Sequence, residues 1–325
     1  MNNYAIGIDI GGTKIAGTLL SRDGRADSIV TCPTNANGPV DAVIDRVIDL
    51  IHSLQAKAAG HVSGIGIGVA AMTDSKRGIV IHASNLKWTN IPLREIILKR
   101  LGEDWEHRIW VDKDTNAAIL GEMLYGSGRG SQHLLYVAIG TGIGGGMVLG
   151  GHLYHGATEG ACDVGHLIIE AEGELCGCGK KGCLETIASG PAIARQIKKA
   201  VLRGAESILS TLEIESITAR EVVEAAKKGD ALAQSVINDA GQKLGIAIAY
   251  YVDINNPELI LIGGSVAVAG DLLLEPIRKT VAKRALPANA RAARIILAQF
   301  GSDAGAIGAA ALVWYKLSEN YEMSR

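Results

Sequence analysis

Residues 5–20 of this 325-residue chain read AIGIDIGGTKIAGTLL. Two short apolar runs flank the turn Gly11-Gly12-Thr13-Lys14, and neither run has a helical period. The stretch therefore predicts two strands that form a hairpin around a glycine turn. The pattern returns within residues 133–151, where IGTGIGGG (residues 139–146) again separates two apolar runs. This echo predicts a fold built from two related halves.

The rest of the chain alternates predicted strands with predicted helices. Residues 39–59 place apolar side chains at helical spacing and end before Gly60, and residues 115–125 predict a helix that begins just after Asp114. Further strands are expected at 62–69, 109–111 and 259–262, and further helices at 191–203, from Thr218, at 230–253 and at 304–311. This alternation is typical of an α/β protein.

Composition limits the classes of function. The formal net charge is -2, with both signs interspersed, so the chain offers no electrostatic footprint for nucleic acid. It contains no run of about 18 uncharged apolar residues, so no membrane span is expected. Five cysteines in 325 residues are typical of a reducing compartment, and we expect a cytoplasmic protein. Its length suits two domains.

One cluster of metal-binding residue types follows the second glycine turn. His166, Cys176, Cys178 and Cys183 are spaced H-x9-C-x-C-x4-C, with glycines between the cysteines. Tetrahedral Zn²⁺ prefers such a set of thiolates and imidazole, and the pattern predicts a structural zinc site. A disulfide and a chance grouping of loop cysteines stay open as alternatives, although Cys176 and Cys178 are too close in sequence for an easy bridge.

The two glycine turns predict phosphate binding. Gly140, Gly142 and Gly145 match a dinucleotide fingerprint, and Glu159 lies about twenty residues further on. The fingerprint requires a helix after the loop, whereas Met147-Val148-Leu149 predicts a second strand, so we reject it. Glycine turns let successive N–H groups point into one concavity, where they hold phosphate oxygens. The alternative is that these glycines only make tight turns.

Together the motifs resemble the ROK family of sugar kinases and repressors. The resemblance rests on Asp9-Ile10-Gly11-Gly12-Thr13-Lys14, on the loop from Gly140 to Gly145, and on Gly165-His166 with the CGCGKKGCLE run (residues 176–185). It implies a two-domain, actin-like (ribonuclease H-like) ATPase fold with ATP and a hexose meeting in the interdomain cleft, and a homodimer formed by the second domain. We expect a small domain of residues 1–117 plus 302–325 and a large domain of residues 118–301. Repressor members carry a helix-turn-helix segment ahead of the first glycine turn, for which this sequence leaves no room, so the kinase branch is expected.

The resemblance also implies roles for individual residues. Asp114 matches the catalytic base, which would accept the proton of a sugar hydroxyl, expected to be the 6-hydroxyl, although an N-cap for the following helix also needs an acid there. Asp9 matches the residue that reaches the Mg²⁺ of MgATP through water. The expected nucleotide contacts are Asp9, Gly11, Gly12, Thr13, Lys14, Gly140, Thr141, Gly142, Gly144, Gly263 and Gly264. The expected sugar contacts are Asn85, Lys113, Asp114, Asp163, His166 and Glu185.

The expected sugar pocket departs from the family pattern at three places. The family usually has Glu at Asp163, Asn at Lys113 and Pro-Gly at Ala70-Ala71. Lys113 is expected to lower the pKa of Asp114, or to offer a charge to an anionic or more polar substrate. We therefore hypothesise a kinase whose best acceptor is not plain glucose.

Three other classes of protein are alternatives to a kinase. A non-catalytic sugar-binding regulator would result if Lys113 disabled Asp114. A zinc hydrolase is disfavoured because four protein ligands leave no open position for water. A dehydrogenase rests only on the rejected fingerprint.

Zinc would also orient His166 and hold Glu185 in place, so metal removal is expected to weaken sugar binding as well as stability.

Overall fold

The computed structural model describes residues 3–323 and divides them into two compact units. The first unit holds residues 3–130, 153–161 and 303–323, and the second holds residues 131–152 and 162–302. The domain boundaries expected at 117/118 and 301/302 stay a prediction. The compact units are divided differently, because the segments 118–130 and 153–161 belong to the first unit.

The first unit is a five-stranded sheet with helices packed on it. Its elements are β1 (Asn3–Ile10), β2 (Lys14–Ser21), β3 (Val30–Pro33), α1 (Val40–Lys57), β4 (His61–Val69), β5 (Met72–Asp74), β6 (Ile79–Ala83), β7 (Trp88–Ile91), α2 (Leu93–Leu101), β8 (Ile109–Lys113), α3 (Asp114–Tyr125) and α10 (Ala304–Met323). The main sheet has the order β3-β2-β1-β4-β8. The first three strands of this order are antiparallel, whereas β4 and β8 run parallel to β1.

The predicted hairpin is confirmed, and the turn begins directly after Ile10. β1 and β2 pair so that Ile10 lies opposite Ile15, and Gly11 donates its N–H to the Lys14 carbonyl at 3.0 Å. On β4, a Cβ atom at Gly66 would lie 1.8 Å from the Ala309 carbonyl oxygen. The absent side chain therefore allows α10 to lie directly against the sheet.

The second unit repeats this topology. Its elements are β9 (Leu134–Ile139), β10 (Ile143–Leu149), β11 (His152–Leu153), α4 (Glu185–Ala188), α5 (Gly190–Leu202), α6 (Ala219–Lys227), α7 (Ala231–Asn255), β12 (Leu259–Gly263), α8 (Asp271–Arg284), α9 (Pro287–Ala292) and β13 (Arg294–Leu297). The sheet order is β11-β10-β9-β12-β13, with β9 antiparallel to β10 and parallel to β12. The predicted relationship between the two halves is confirmed, because each sheet begins with a hairpin around a glycine turn.

Most of the predicted helices lie within a residue or two of their expected bounds, but α10 extends beyond its expected end, and α2, α4, α8 and α9 were not predicted. Thr218 and Glu221 form the capping box at the start of α6, with Glu221 Oε2 accepting from the Thr218 N–H at 2.9 Å. The small antiparallel sheet β5-β6-β7 was not predicted. No helix within residues 3–323 is long and apolar enough to cross a membrane.

Candidate functional site

The first glycine turn is held in a defined shape by its neighbours. The Thr34 hydroxyl donates to the Gly11 carbonyl at 2.7 Å, and the Thr34 N–H donates to the Thr13 carbonyl at 3.0 Å. A Cβ atom at Gly12 would lie 2.8 Å from Cβ of Asn85, so Asn85 packs directly on the turn. The first unit thus brings together Asn85 and the turn expected to bind phosphate.

Two carboxylates of the first unit influence each other. Burial, and after it the charge of Asp114, raise the pKa of Asp9 to about 7, although the charge of Lys14 opposes both. Burial also raises the pKa of Asp114, while the charge of Lys113 and a hydrogen bond from the Thr115 N–H (2.7 Å) lower it. Lys113 lowers the pKa of Asp114 as expected, but burial is the larger effect and leaves that pKa raised. A carboxyl with a raised pKa is a stronger proton acceptor once it is ionised.

Asp114 is the first residue of α3, and it is not the N-cap. Lys113 occupies the N-cap position and makes no side-chain capping bond. The Asp114 carboxylate instead accepts from the next backbone N–H, that of Thr115. The N-cap interpretation of Asp114 is therefore wrong by one residue.

Lys113 points its amine at the backbone. Its Nζ donates to the Ala161 carbonyl at 3.1 Å. Ala70, which is expected to depart from the family pattern, donates its N–H to the Ile10 carbonyl at 3.2 Å, beside the end of β1.

The second glycine turn is braced from the segment 185–190. Gly140 donates to the Gly142 carbonyl at 2.9 Å and accepts from the Gly190 N–H at 2.8 Å. The Ile143 N–H donates to Oε2 of Glu185 at 2.8 Å. A strand, β10, follows the turn, which confirms the rejection of the dinucleotide fingerprint.

A large cavity in the second unit brings several predicted nucleotide contacts together. Its volume is about 1160 Å³, and its lining includes Gly140, Thr141, Gly263 and Gly264. The cavity is also lined by residues that sequence reasoning missed, namely Arg195, Lys198, Arg220, Lys227, Ser265 and the N-terminus of α6. Only the packing of α5 and α6 brings these cations to one cavity, and nothing in their spacing pointed to a site. A cavity of this volume is large enough to hold a small-molecule ligand.

The four predicted metal ligands converge. The ligand atoms of His166, Cys176, Cys178 and Cys183 all lie within 4.8 Å of one another. Sγ of Cys176 lies 3.7 Å from Nδ1 of His166, and Sγ of Cys178 lies 3.6 Å from Sγ of Cys183. The Sγ atoms of Cys178 and Cys183 lie too far apart for an S–S bond, and the three cysteines of the cluster are not in disulfides. The donor set fits a tetrahedral Zn²⁺ bound through Nδ1 of the imidazole.

Asp163 directly precedes the short turn Val164–His166 that carries the imidazole. The residue before it, Cys162, has a left-handed backbone (φ 61°) that a residue with a side chain rarely adopts. Burial raises the pKa of Tyr251, and the charge of Cys162, a hydrogen bond to it and the charge of Asp163 add to the shift. Sequence reasoning missed both Cys162 and Tyr251, since backbone strain leaves no trace in residue spacing.

The chain is similar to known glucokinases and to a putative sugar repressor. The chain is 37% identical to a glucokinase of Halalkalibacterium halodurans, over 98% of this chain and 97% of that protein. The structure of a ROK family glucokinase from Streptomyces griseus, in complex with glucose and AMPPNP, aligns with a TM-score of 0.81 and 33% identity, over 95% of this chain and 98% of the other. A putative xylose repressor of Caldicellulosiruptor sp. is 36% identical over 78% of this chain and 62% of the repressor.

The comparisons and the sheet topology confirm the expected α/β, actin-like fold. Residues 5–316 match the ROK family, and the resemblance carried by the two glycine turns and the cysteine cluster is thereby confirmed. This chain belongs to the ROK family.

Proposed function

We propose that this chain is an ATP-dependent sugar kinase that transfers the γ-phosphate to a hydroxyl, the 6-hydroxyl, of a hexose or N-acetylhexosamine. The observation that carries the proposal is Asp114, a carboxyl whose pKa is raised by burial at the start of α3 in the first unit. Relatives similar over nearly the whole chain are glucokinases, and one is bound to glucose and a nucleotide analogue in its solved structure.

The chain's own residues supply positioning and proton transfer. Asp114 accepts the proton of the sugar hydroxyl as the new O–P bond forms, and ADP leaves as the bond to the β-phosphate oxygen breaks. Backbone N–H groups of the two glycine turns hold phosphate oxygens, and Gly263 and Gly264 line the cavity that takes the adenosine. Mg²⁺, when bound, neutralises charge on the phosphates, and Asp9 is the carboxylate that would reach it through water.

On the acceptor side, Asn85, Asp163, His166 and Glu185 are the proposed sugar contacts. Cys176, Cys178, Cys183 and Nδ1 of His166 would hold a structural Zn²⁺, which leaves Nε2 of the ring for a sugar hydroxyl. We place the protein in the cytoplasm, where free thiols such as these stay reduced.

A homodimer through the second unit is part of the proposal. Tyr250 and Ile254 on α7 and Leu286 beside it expose more than half of their surface, which is unusual for large apolar side chains on one face. Sedimentation velocity tests this: a dimer is expected, and a monomer at micromolar concentration contradicts it.

The test of the activity is ADP release with MgATP against glucose, mannose, fructose, N-acetylglucosamine and N-acetylmannosamine. Turnover on at least one sugar is expected, with a loss of about 10²–10⁴-fold in kcat in Asp114→Asn. Circular dichroism of that variant checks that it folds. Equal turnover in the variant would remove Asp114 from the role of base.

The similarity to a xylose repressor favours one second candidate, a sugar-binding regulator without catalysis. It predicts sugar binding in calorimetry without ADP release. If the wild-type protein neither binds nor phosphorylates any sugar of the panel, both candidates fail.

A further inference from the structure

The segment 153–161 belongs to the first compact unit although the chain on both sides of it belongs to the second. It contains left-handed residues at Gly156 (φ 76°) and Glu159 (φ 62°), and Cys162 (φ 61°) follows directly. Non-glycine residues in this region cost about 1–3 kcal/mol each and persist only where the surroundings hold them. The segment therefore needs anchors, that is, hydrogen bonds to the rest of the first unit that hold this backbone in place.

The central anchor is a buried carboxylate on β8. Oδ2 of Asp112 pairs with Nε2 of His155 at 2.8 Å, and Asp112 is fully buried. Its Oδ1 accepts from the Lys113 N–H at 2.7 Å and from Nδ2 of Asn116 at 2.9 Å. A buried carboxylate with three donors is a rigid point of attachment, because every alternative leaves a charge without partners.

Further hydrogen bonds fasten the rest of the segment. Nζ of Lys113 donates to the Ala161 carbonyl at 3.1 Å, and the Ala161 N–H donates to the His155 carbonyl at 3.0 Å. The Ser75 N–H donates to Oε2 of Glu159 at 2.8 Å. The segment is thus hydrogen-bonded to other parts of the first unit through the side chains of His155 and Glu159 and the backbone of Ala161.

The anchors lie next in sequence to the proposed sugar contacts. Lys113 directly precedes Asp114, and Ala161 stands two residues before Asp163. The hydrogen bond from Lys113 to Ala161 therefore links the residue before Asp114, the proposed base, to the residue two positions before Asp163, the proposed sugar contact. No sequence motif pointed to Asp112 or His155.

We propose that Asp112, His155 and Lys113 are positioning residues for acceptor binding, which fix the segment 153–161 and thereby the start of the loop that carries Asp163. This proposal rests on the proposed sugar kinase activity. It also changes the role of Lys113: its amine holds the backbone and does not meet a charged substrate.

The anchor responds to pH. Burial alone would lower the pKa of His155, but its hydrogen bond to Asp112, the charge of Asp112 and the charge of Glu159 together raise it, against Lys316. Because the pKa is raised in the folded protein, the charged pair is complete below the ordinary value of 6.5 and is lost as the pH rises through the folded value. Sugar affinity is therefore expected to fall on the alkaline side.

The test compares His155→Ala, His155→Gln and the exposed control His152→Gln. We expect His155→Ala to raise KM and Kd for the sugar about tenfold, to change kcat by less than about threefold, and to leave KM for ATP unchanged. His155→Gln keeps a neutral donor, so it should restore part of the affinity and abolish the alkaline rise in KM. Hydrogen exchange of the peptide covering residues 153–163 should accelerate in His155→Ala and not in the control.

Several results overturn the proposal. Unchanged sugar affinity or unchanged exchange in His155→Ala removes the anchor, and equal losses for ATP and sugar point to a general structural role. For Lys113→Met, we expect KM to rise alike for all sugars, whereas a changed ranking of acceptors means that Lys113 touches the substrate. The sugar Kd and the hydrogen exchange can be measured without turnover. If the wild-type protein binds sugar but is inactive, the kinase proposal fails, and these two measurements still test the positioning role of His155.

Discussion

Glu185 accepts a hydrogen bond of 2.8 Å through Oε2 from the backbone N–H of Ile143. Ile143 is the first residue of β10, directly after the second glycine turn, and Glu185 is the second residue after the cysteine Cys183. A Cβ atom at Gly142 would lie 2.4 Å from the same carboxylate oxygen. The residue expected to bind sugar therefore also braces the turn expected to bind phosphate.

This brace predicts an effect on nucleotide binding. Glu185→Ala leaves the Ile143 N–H without its acceptor, and we expect the Kd for AMPPNP without sugar to rise about tenfold, ~1–2 kcal/mol. Glu185→Gln keeps a side-chain oxygen and should lose much less nucleotide affinity. Calorimetry measures both, and equal nucleotide affinity in all three proteins would show that the brace does not matter.

Metal content tests the cluster of His166 and the three cysteines. We expect about one zinc per chain, and its loss in Cys176→Ser together with a fall in Tm of at least about 5 °C. Cys32→Ser, outside the cluster, is the control and should keep the metal. A Tm and a sugar Kd that do not change on metal removal would contradict a structural role for the metal.

The raised pKa of Asp9 predicts a pH dependence of stability. Since the folded pKa (about 7) exceeds the ordinary value of 3.8, the folded protein favours the neutral form, and stability is lost as the pH rises from 3.8 through about 7. Asp9→Asn should thus stabilise the metal-free protein by on the order of 2 kcal/mol near pH 8, and by much less near pH 4.5. Urea unfolding at the two pH values measures this, and the same gain at both would contradict it.

Two glycines on β4 form a matched pair for packing. A Cβ atom at Gly66 would lie 1.8 Å from the Ala309 carbonyl oxygen, whereas one at Gly68 would lie 3.4 Å from its nearest neighbours, Cβ of Ala117 and Cα of Asp114. We expect Gly66→Ala to lower the free energy of unfolding by about 3 kcal/mol or more, because α10 must move away. Gly68→Ala should cost less than about 1 kcal/mol, and similar losses in both variants would show that β4 and α10 adjust easily.

Sequence reasoning succeeded where the signal is local. The glycine turns, the capping box at Thr218 and the spacing of the cysteine cluster each depend on residues within one short segment, and the structure bears out these placements. It failed where long-range packing decides. The sequence correctly predicts that Lys113 lowers the pKa of Asp114, but the larger, opposite effect of burial cannot be read from a neighbouring residue.

The sequence by itself determined the two related halves, the ROK family membership and the identity of the converging metal-ligand types, since each follows from spacing along the chain. Only the tertiary structure decided that Lys113 binds the Ala161 carbonyl, that His155 pairs with Asp112, and that Glu185 braces Ile143. These pairs are separated by 48, 43 and 42 residues, so no local pattern encodes them. They form because a buried charge or N–H group takes the partner that folding brings within reach.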